Sequence, residues 1–475
     1  MINPILLVAI PLLAAFLSIM VKKLSGVFLF GVSLFTAIGS FFIENGSYVI
    51  GGWKPPFGIN LVVDDYSFLI LIIVNILFFL TLLNGMWNLK KNETVLLVTL
   101  AGVNGIVMTG DFFNLFVFME IIAISAYILA SSTEKYYSVF KYLILGTVGS
   151  SLYLFGIIIL YGTAGTLNMA DLASKLPEIS NSVKVLAFTF IFSGLAVEAK
   201  ILPFNSWVRG IFGNSNTLTG PMFSTVYATV SAAVVGRVFG QILTIDTNLI
   251  YAFITLTLMT FIFAESAAMA SKNLRSILTF SSIGQAGLII TMFLLGGFYA
   301  ALIQLVNNAF AKMVMFSIAT KTYSSNEDDD IDNLAGIFRK HYMMGLGFTI
   351  SALSLIGLPL FFGFYGKINI LQTAFATNMW IPAFILIGSI IEGIYYIRLL
   401  VKLWNPGKEG DESSEEAGTS YTILNGFTVS IIALVVGAVF VVAGITPEFL
   451  VENIEKAANS LGDINTYLSS VMGGI

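Results

Sequence analysis

Long apolar stretches follow one another along almost the whole of this 475-residue chain, and they constrain its fold more than any other feature. The residues are 57% hydrophobic and 11% charged. A soluble domain usually has about 25% charged residues, and so few charges could not cover a water-facing surface of this size. The sequence therefore predicts one polytopic membrane domain rather than several soluble domains.

The apolar stretches divide into about fourteen runs that could each cross a bilayer, which takes about 20 residues. They predict an all-α bundle. The first run lacks the basic start and small-residue cleavage site of a signal peptide, so we expect it to be a retained helix. The runs cover residues 4–21, 26–43, 66–87, 93–109, 112–130, 139–161, 183–202, 217–243, 249–270, 274–295, 298–320, 343–374, 380–403 and 421–443.

Basic residues are unevenly divided between the two sets of alternating loops. By the positive-inside rule the richer set is cytoplasmic, which predicts that both termini lie outside a cell membrane. The tail after Pro447 is expected to form a short amphipathic helix on the outer surface. The richer set holds Lys22, Lys23, Lys90, Lys91, Lys135, Arg209, Lys272, Arg275, Lys321, Arg339, Lys340, Lys402 and Lys408, and the other holds mainly Lys54, Lys175 and Lys184.

The chain has no cysteine and one histidine, His341. It therefore lacks thiolate ligands for iron–sulfur clusters and the paired imidazoles of haem and zinc sites. Its 23 Lys and Arg residues are scattered and form no basic surface for nucleic acid. We expect the chain to bind no metal or cofactor, so that any electron transfer takes place on a partner.

Several ionisable residues lie inside the apolar runs, where each costs about 2.5–3.5 kcal/mol at a helix centre. Glu120 is too far from either end of its run to reach water, so it must be paired or protonated. A proton path is the favoured interpretation, and a neutral glutamate bonded to a neighbouring helix is the alternative. Asp111 lies near a membrane surface, and Glu265 is interpreted as structural. The remaining intramembrane residues are Glu198, Lys200, Lys312, Lys367 and Glu392.

Two of the runs contain helix-breaking residues. Pro203 follows Glu198 and Lys200, and Pro359 precedes Lys367. Proline removes a backbone donor and disrupts the preceding turn, so both helices should be broken. Broken helices place unpaired carbonyls and dipole ends at membrane depth, where ions and charged side chains can bind. Two such helices, each with a lysine, indicate duplicated halves.

Lys312 has Asn308 one turn earlier on the same helix face, which places an amide beside the ammonium group. This arrangement fits a relay, because buried lysines lose their protons readily and can exchange them with glutamates through water. A structural salt bridge is the alternative for Lys312. For Glu392, a relay role and a structural ion pair remain equally open.

Six stretches, taken in order, resemble the antiporter-like subunits shared by respiratory complex I, Mrp-type cation/proton antiporters and membrane-bound hydrogenases. The resemblance spans nearly the whole chain. It implies fourteen helices with two inverted five-helix repeats, each with one broken helix, and a hydrophilic Lys/Glu axis halfway through the membrane. By position, Glu120 matches the family's glutamate, Lys312 its central lysine and Lys367 the charged residue of the second broken helix. The stretches are GDFFNLFVFMEI, FKYLILGTVGSSLYLFG, AKILPFNSWV, NLRSILTFSSIGQAG, NNAFAKMVMFS and LPLFFGFYGKINIL.

The chain departs from the family's pattern at several of these positions. Glu198 stands where a lysine is usual, and Lys200 is displaced from it by two residues. Thr229 lies where another lysine is expected, and Asn308 where many members have a histidine. These departures favour a hydrogenase-like, sulfane-reductase-like or Mrp-like assembly over a standard complex I subunit.

The sequence thus predicts an ion-translocating subunit of a multisubunit complex that is not by itself an enzyme. Its expected partners are the lipid bilayer, other membrane subunits and redox subunits with iron–sulfur or Ni–Fe centres, and its ion is H⁺ or Na⁺. A complex I-type NADH-quinone oxidoreductase subunit, a stand-alone solute transporter and a purely structural subunit are the alternatives. The expected parts are N-terminal helices 1–92, a first repeat 93–243, a second repeat 249–403, and a last helix with its tail 421–475.

Overall fold

A computed structural model describes residues 2–89, 91–245, 247–326, 328–405 and 420–473 of the chain. Two of the basic loop residues named above, Lys90 and Lys408, lie outside these ranges. Within them the chain is mostly helical. The helices are α1 (Leu6–Met20), α2 (Ser25–Gly39), α3 (Asp65–Gly85), α4 (Glu93–Met108), α5 (Phe112–Ser131), α6 (Tyr136–Ala164), α7 (Met169–Lys175), α8 (Asn181–Glu198), α9 (Val208–Gly213), α10 (Thr219–Met222), α11 (Ala228–Val235), α12 (Thr247–Ala270), α13 (Leu274–Leu294), α14 (Phe298–Asn326), α15 (Ile337–Lys340), α16 (Tyr342–Ile356), α17 (Gly363–Thr377), α18 (Trp380–Trp404), α19 (Ser420–Ile445), α20 (Glu448–Gly462) and α21 (Ile464–Met472).

Eleven helical segments among the described residues are long and apolar enough to cross a membrane. Helices α1, α4 and α16 are also apolar but have only 15 or 16 residues. The prediction of a multi-pass, mainly helical membrane protein is therefore confirmed.

Helices α13 and α14 form the centre of the bundle. Both are buried along almost their whole length, including their polar side chains. Helix α12 packs along α13, and α16 and α17 pack against α14. Polar side chains on α13 and α14 therefore meet other protein groups rather than lipid.

A short β-hairpin between α2 and α3 corrects the all-α prediction. Strand β1 (Gly46–Val49) pairs with strand β2 (Asn60–Val63) in antiparallel register, with Gly46 opposite Val63. The β2 side chains are buried. The hairpin falls in a segment between two apolar runs, and its pairing satisfies backbone groups that no helix accommodates.

Both predicted helix breaks are present. Helix α8 ends at Glu198, and Lys200 has a left-handed backbone with φ +63°. The run 343–374 is divided into α16 and α17 at Gly357, where φ is +84°. Glycine fits there for a second reason, because a Cβ would collide with the side chain of Lys367.

The C-terminal tail forms two helices, α20 and α21, rather than one. Helix α20 is amphipathic, as predicted, and its apolar face packs against α3 and α14. Ile454, Ala457 and Leu461 are buried in this contact. A buried ion pair lies beneath the tail, where Arg237 binds Asp64 through two nitrogens at 2.6 and 2.7 Å.

Candidate functional site

One turn of α13, residues 281–285, lies at the centre of the candidate site. Ser281, Ser282 and Gln285 are fully buried there. Burying a polar side chain is costly unless it is hydrogen-bonded, and all three have partners from other helices. Those partners include three of the ionisable residues predicted from the sequence.

Lys312 of α14 is fully buried and binds two hydroxyl groups. Its Nζ donates to Ser281 Oγ at 2.6 Å and to the Tyr396 hydroxyl at 2.8 Å. These hydroxyls lie 2.9 Å from each other, which closes a three-membered cluster. The predicted partner Asn308 does not take part: its Oδ1 is buried without a hydrogen-bond partner among the described residues.

Lys200 reaches the same turn of α13 from the first helix break. Its Nζ donates to Ser282 Oγ at 2.9 Å and lies 5.5 Å from the centre of the Phe212 ring. Since Ser281 and Ser282 are adjacent, Lys200 and Lys312 bind neighbouring hydroxyls of one helical turn. Lys200 therefore connects the first helix break to the turn of α13 that also binds Lys312.

Glu198 faces away from this turn. Its Oε2 accepts a hydrogen bond from the Tyr142 hydroxyl at 3.2 Å, and the Tyr142 ring stacks on Trp207 with 4.0 Å between ring centres. Glu198 also lines a cavity together with Tyr227 and Ser231. Although only Ala199 separates them, Glu198 faces α6 and Lys200 faces α13, because the helix ends between them.

Lys367 and Glu392 form an ion pair with 2.6 Å between Nζ and Oε2. Glu392 is fully buried, and its Oε1 accepts from Gln285 Nε2 at 2.7 Å. Gln285 in turn accepts from Gln304 Nε2 at 2.6 Å. The pair is thus attached to the same turn of α13 that binds the other two lysines.

Glu120 of α5 and Asp111, which precedes α5, make fewer contacts with other side chains than the residues described above. Glu120 is half-buried and has no hydrogen bond or salt bridge with another described residue. Asp111 caps the N-terminus of α5, where its Oδ1 accepts from Asn114 N at 2.8 Å. Neither residue contacts the central turn.

Sequence reasoning missed the hydroxyl and amide groups that connect the charged residues. Ser281 and Ser282 lie in one of the family-like stretches, but they read as small packing residues. Tyr396 follows Glu392 by four residues, so helical spacing could have placed it on the same face.

The chain is similar to several known membrane proteins. A family model described as "NADH:quinone oxidoreductase/Mrp antiporter, TM" matches residues 109–392. An NADH-quinone oxidoreductase subunit of Desulforudis audaxviator is 27% identical over an alignment of 490 positions that covers 96% of this chain and 98% of that protein. A Na(+)/H(+) antiporter subunit of Alkalihalophilus pseudofirmus is 26% identical, with 93% and 91% covered.

Solved structures have the same fold along almost the whole chain. A chain of the membrane-bound sulfane sulfur reductase, an archaeal respiratory membrane complex, is 30% identical with a TM-score of 0.89, and 99% of each chain is covered. A chain of the Mrp complex from Dietzia is 22% identical with a TM-score of 0.88, and 98% of each chain is covered. At this lower identity the likeness concerns the fold alone.

Proposed function

This chain belongs to the NADH:quinone oxidoreductase/Mrp antiporter family of membrane proteins, and we propose from that premise that it moves protons through a Lys/Glu relay. It is an antiporter-like membrane subunit of a multisubunit complex. The proposal rests on one observation. Lys200, Lys312 and Glu392 are all hydrogen-bonded to side chains of the same turn of α13.

The central part of the proposed relay extends from Lys200 to Lys367 around the turn 281–285, with water carrying the proton between groups that are not hydrogen-bonded to each other. The Lys200 and Lys312 ammonium groups donate to adjacent serine hydroxyls. Hydroxyls act as donor and acceptor at once, so a proton lost from one lysine can be replaced through them. The Lys367–Glu392 pair holds one positive and one negative charge at the far end. A charge change at Lys312 therefore alters the stability of that pair.

We propose that Glu120 and Glu198 extend the path beyond Lys200, on the side of the first helix break that faces away from the central turn. Glu198 lines a cavity and has a tyrosine hydroxyl as its donor. Four further residues support the path. Asp111 fixes the start of α5, Pro203 and Pro359 maintain the two breaks, and Asn308 offers a buried amide oxygen that can bind water.

We also propose that the chain crosses the membrane fourteen times and contains two inverted repeats. The three shorter apolar helices also cross the membrane, which gives fourteen crossings with the eleven longer ones. The halves 93–243 and 249–403 are inverted five-helix repeats that follow N-terminal helices 1–92 and precede the last helix and tail 421–475. With an even number of crossings both termini lie on one side, and the basic loops assign it to the outside of the cell membrane.

The partners are other membrane subunits together with a redox module. The 30% identity to a chain of the membrane-bound sulfane sulfur reductase supports a redox-driven assembly, whose iron–sulfur or Ni–Fe centres would lie in other subunits. An Mrp-like assembly that exchanges Na⁺ for H⁺ is the second candidate, because the Na(+)/H(+) antiporter relative has similar identity and coverage.

The test uses the complex purified through a tag on this chain. Mass spectrometry of the co-purified subunits distinguishes a redox module from an Mrp-type set. Proton transport is then measured in liposomes for Lys312→Met, with the exposed Lys456→Met as the matched control. We expect about a hundredfold lower transport for Lys312→Met alone. Normal transport in an intact complex would refute the relay.

A further inference from the structure

Glu265 of α12 is a fully buried carboxyl group that the relay described above does not use. The Tyr395 hydroxyl donates to its Oε2 at 2.8 Å. Its Oε1 has no hydrogen-bond partner among the described residues. A buried carboxylate with one donor for two oxygens is costly while it is ionised, so a purely structural role leaves Oε1 unexplained.

We propose that Glu265 is a further proton-carrying residue of the relay and exchanges protons with Lys312. This inference rests on the proposed function and adds a residue to the same path. It replaces the structural interpretation that the sequence alone favoured for Glu265.

The position of Glu265 beside the central turn supports the proposal. Its unpartnered Oε1 faces Gly284, where a Cβ would overlap the carboxyl group. Gly284 lies on the same turn as Ser281, the acceptor for Lys312. The absence of a side chain at this position leaves room for the carboxyl group.

Two adjacent tyrosines connect Glu265 to Lys312. Tyr395 donates to Glu265, and Tyr396 accepts from Lys312 Nζ, each at 2.8 Å. Their ring centres are 4.6 Å apart. The carboxyl group and the ammonium group are thus bound to consecutive residues of α18.

The charges around Glu265 also fit exchange with Lys312. The charged groups that act on it are Lys312 from α14, Lys367 from α17 and Glu392 from α18. Lys367 and Glu392 already pair with each other, whereas Lys312 binds only neutral hydroxyls among the described residues. Glu265 is therefore the carboxyl group available to balance Lys312.

The proposed step moves one proton and no electrons. An N–H bond of the Lys312 ammonium breaks and an O–H bond forms on Glu265, which leaves an amine and a carboxylic acid. The tyrosine hydroxyls, or water at Oε1, each accept one proton and release one, so they are unchanged afterwards. No oxidant or reductant is required.

The test compares Glu265→Gln, Glu265→Asp and Lys312→Met in the whole purified complex. Glutamine keeps the size of the side chain and still accepts from Tyr395, but it cannot carry a proton. We expect Glu265→Gln to lower proton transport about a hundredfold. Aspartate should restore part of the transport with a shifted pH profile, since it retains a titratable carboxyl group.

The outcomes separate this inference from the proposed function. Normal transport in Glu265→Gln together with lost transport in Lys312→Met would overturn the role of Glu265 alone. Normal transport in both variants would overturn the relay itself. If Glu265→Gln does not assemble, Glu265→Asp decides: a shifted pH profile supports proton exchange, and an unchanged rate and profile overturn it.

Discussion

Lys200 and Lys312 donate to adjacent serines of α13, at 2.9 Å to Ser282 and 2.6 Å to Ser281, although they come from distant parts of the chain. Two ammonium groups so placed repel each other in a site shielded from water. A proton gained by one therefore makes it harder for the other to remain charged. This relationship couples the first helix break to the centre of the bundle.

The serine pair should be required for that coupling. Ser281→Ala removes an acceptor of Lys312, and Ser282→Ala removes the acceptor of Lys200. We expect each variant to lower proton transport at least about tenfold, because a hydrogen bond to a charged group contributes about 1.5–3 kcal/mol and about 1.4 kcal/mol corresponds to a factor of ten. Transport by the reconstituted complex is the measurement.

The double variant Ser281→Ala/Ser282→Ala tests whether the two lysines act as one path. If they do, the combined loss should be smaller than the product of the single losses. The matched control is Ser430→Ala, whose hydroxyl bonds only to the Gly426 carbonyl of its own helix among the described residues. Multiplicative losses would argue for two independent routes.

The Lys367–Glu392 ion pair should contribute both to the stability of the fold and to proton transport, and the two contributions can be measured separately. Glu392→Gln leaves the Lys367 charge without its partner, which should lower the free energy of unfolding by about 3–5 kcal/mol. Lys367→Ala should abolish proton transport. Both quantities are measured on the purified complex, by thermal unfolding and by liposome assays.

The double variant Lys367→Met/Glu392→Gln restores neutrality at this position. It should recover most of the lost stability, because no unpaired charge remains buried. Transport should stay absent, since the pair no longer carries a proton. A stable double variant with normal transport would assign the pair a structural role alone.

Gly284→Ala should disturb the candidate site through a single added methyl group. The new Cβ would overlap the Glu265 carboxyl group, and overpacking of this kind typically costs about 1–3 kcal/mol. We expect lower transport together with a lower unfolding temperature. Gly162→Ala is the matched control, because a Cβ there meets no atom within 4 Å.

The Asp64–Arg237 ion pair should hold the C-terminal helices in place. The Arg237 guanidinium binds Asp64 and also contacts α21, where it lies 5.2 Å from the ring centre of Tyr467. Gln241, one turn further along, donates to the Ser460 carbonyl of α20 at 2.8 Å. Asp64→Asn removes the carboxylate that neutralises Arg237 and leaves it only neutral partners such as Ser67 and Gln241, so we expect a stability loss of up to about 3–5 kcal/mol.

Limited proteolysis measures this effect directly. Cleavage between residues 446 and 473 should be faster in Asp64→Asn than in the unmodified chain. The control is Glu452→Gln, which removes an exposed ion pair with Lys456 on α20 and should have little effect. Equal cleavage in Asp64→Asn and the unmodified chain would contradict the anchoring role.

His341, the single histidine, provides a local pH probe outside the membrane-spanning segments. Partial desolvation of this exposed side chain, together with the nearby charges of Lys340 and Lys321, holds the pKa of its imidazole below the usual range. The folded protein therefore takes up this proton at lower pH than the unfolded chain. Stability should fall as the pH drops through the ordinary histidine range.

Proton NMR of the detergent-solubilised complex, labelled on this chain, gives the titration midpoint of His341. The same chain unfolded in denaturant supplies the reference value. A midpoint in the folded protein equal to or above the reference would contradict the expected shift.

Buried charged residues and helix breaks can be predicted from the sequence when a single residue differs in polarity or backbone preference from the apolar run around it. Lys312 and Glu392 were identified because ionisable groups are costly inside apolar runs. The breaks were expected from Pro203 and Pro359, because proline acts on the backbone of its own helix. These inferences need no knowledge of neighbouring helices.

Contacts between helices could not be predicted in this way. Helical spacing paired Lys312 with Asn308, but its partners Ser281 and Tyr396 come from two other helices. The opposite directions of Glu198 and Lys200 depend on the left-handed backbone at Lys200, which ends the helical spacing between them. Both depend on the three-dimensional packing of the helices.

The contacts of residues 281–285 all depend on one rotational position of α13 about its axis. One residue inserted or deleted earlier in α13 would rotate this turn by about 100°. Such a change would redirect the acceptors of Lys200 and Lys312, the donor to Glu392 and the space beside Glu265 in one step. Point substitutions in this turn can adjust ion transport gradually, whereas a change in helix length would remove it altogether.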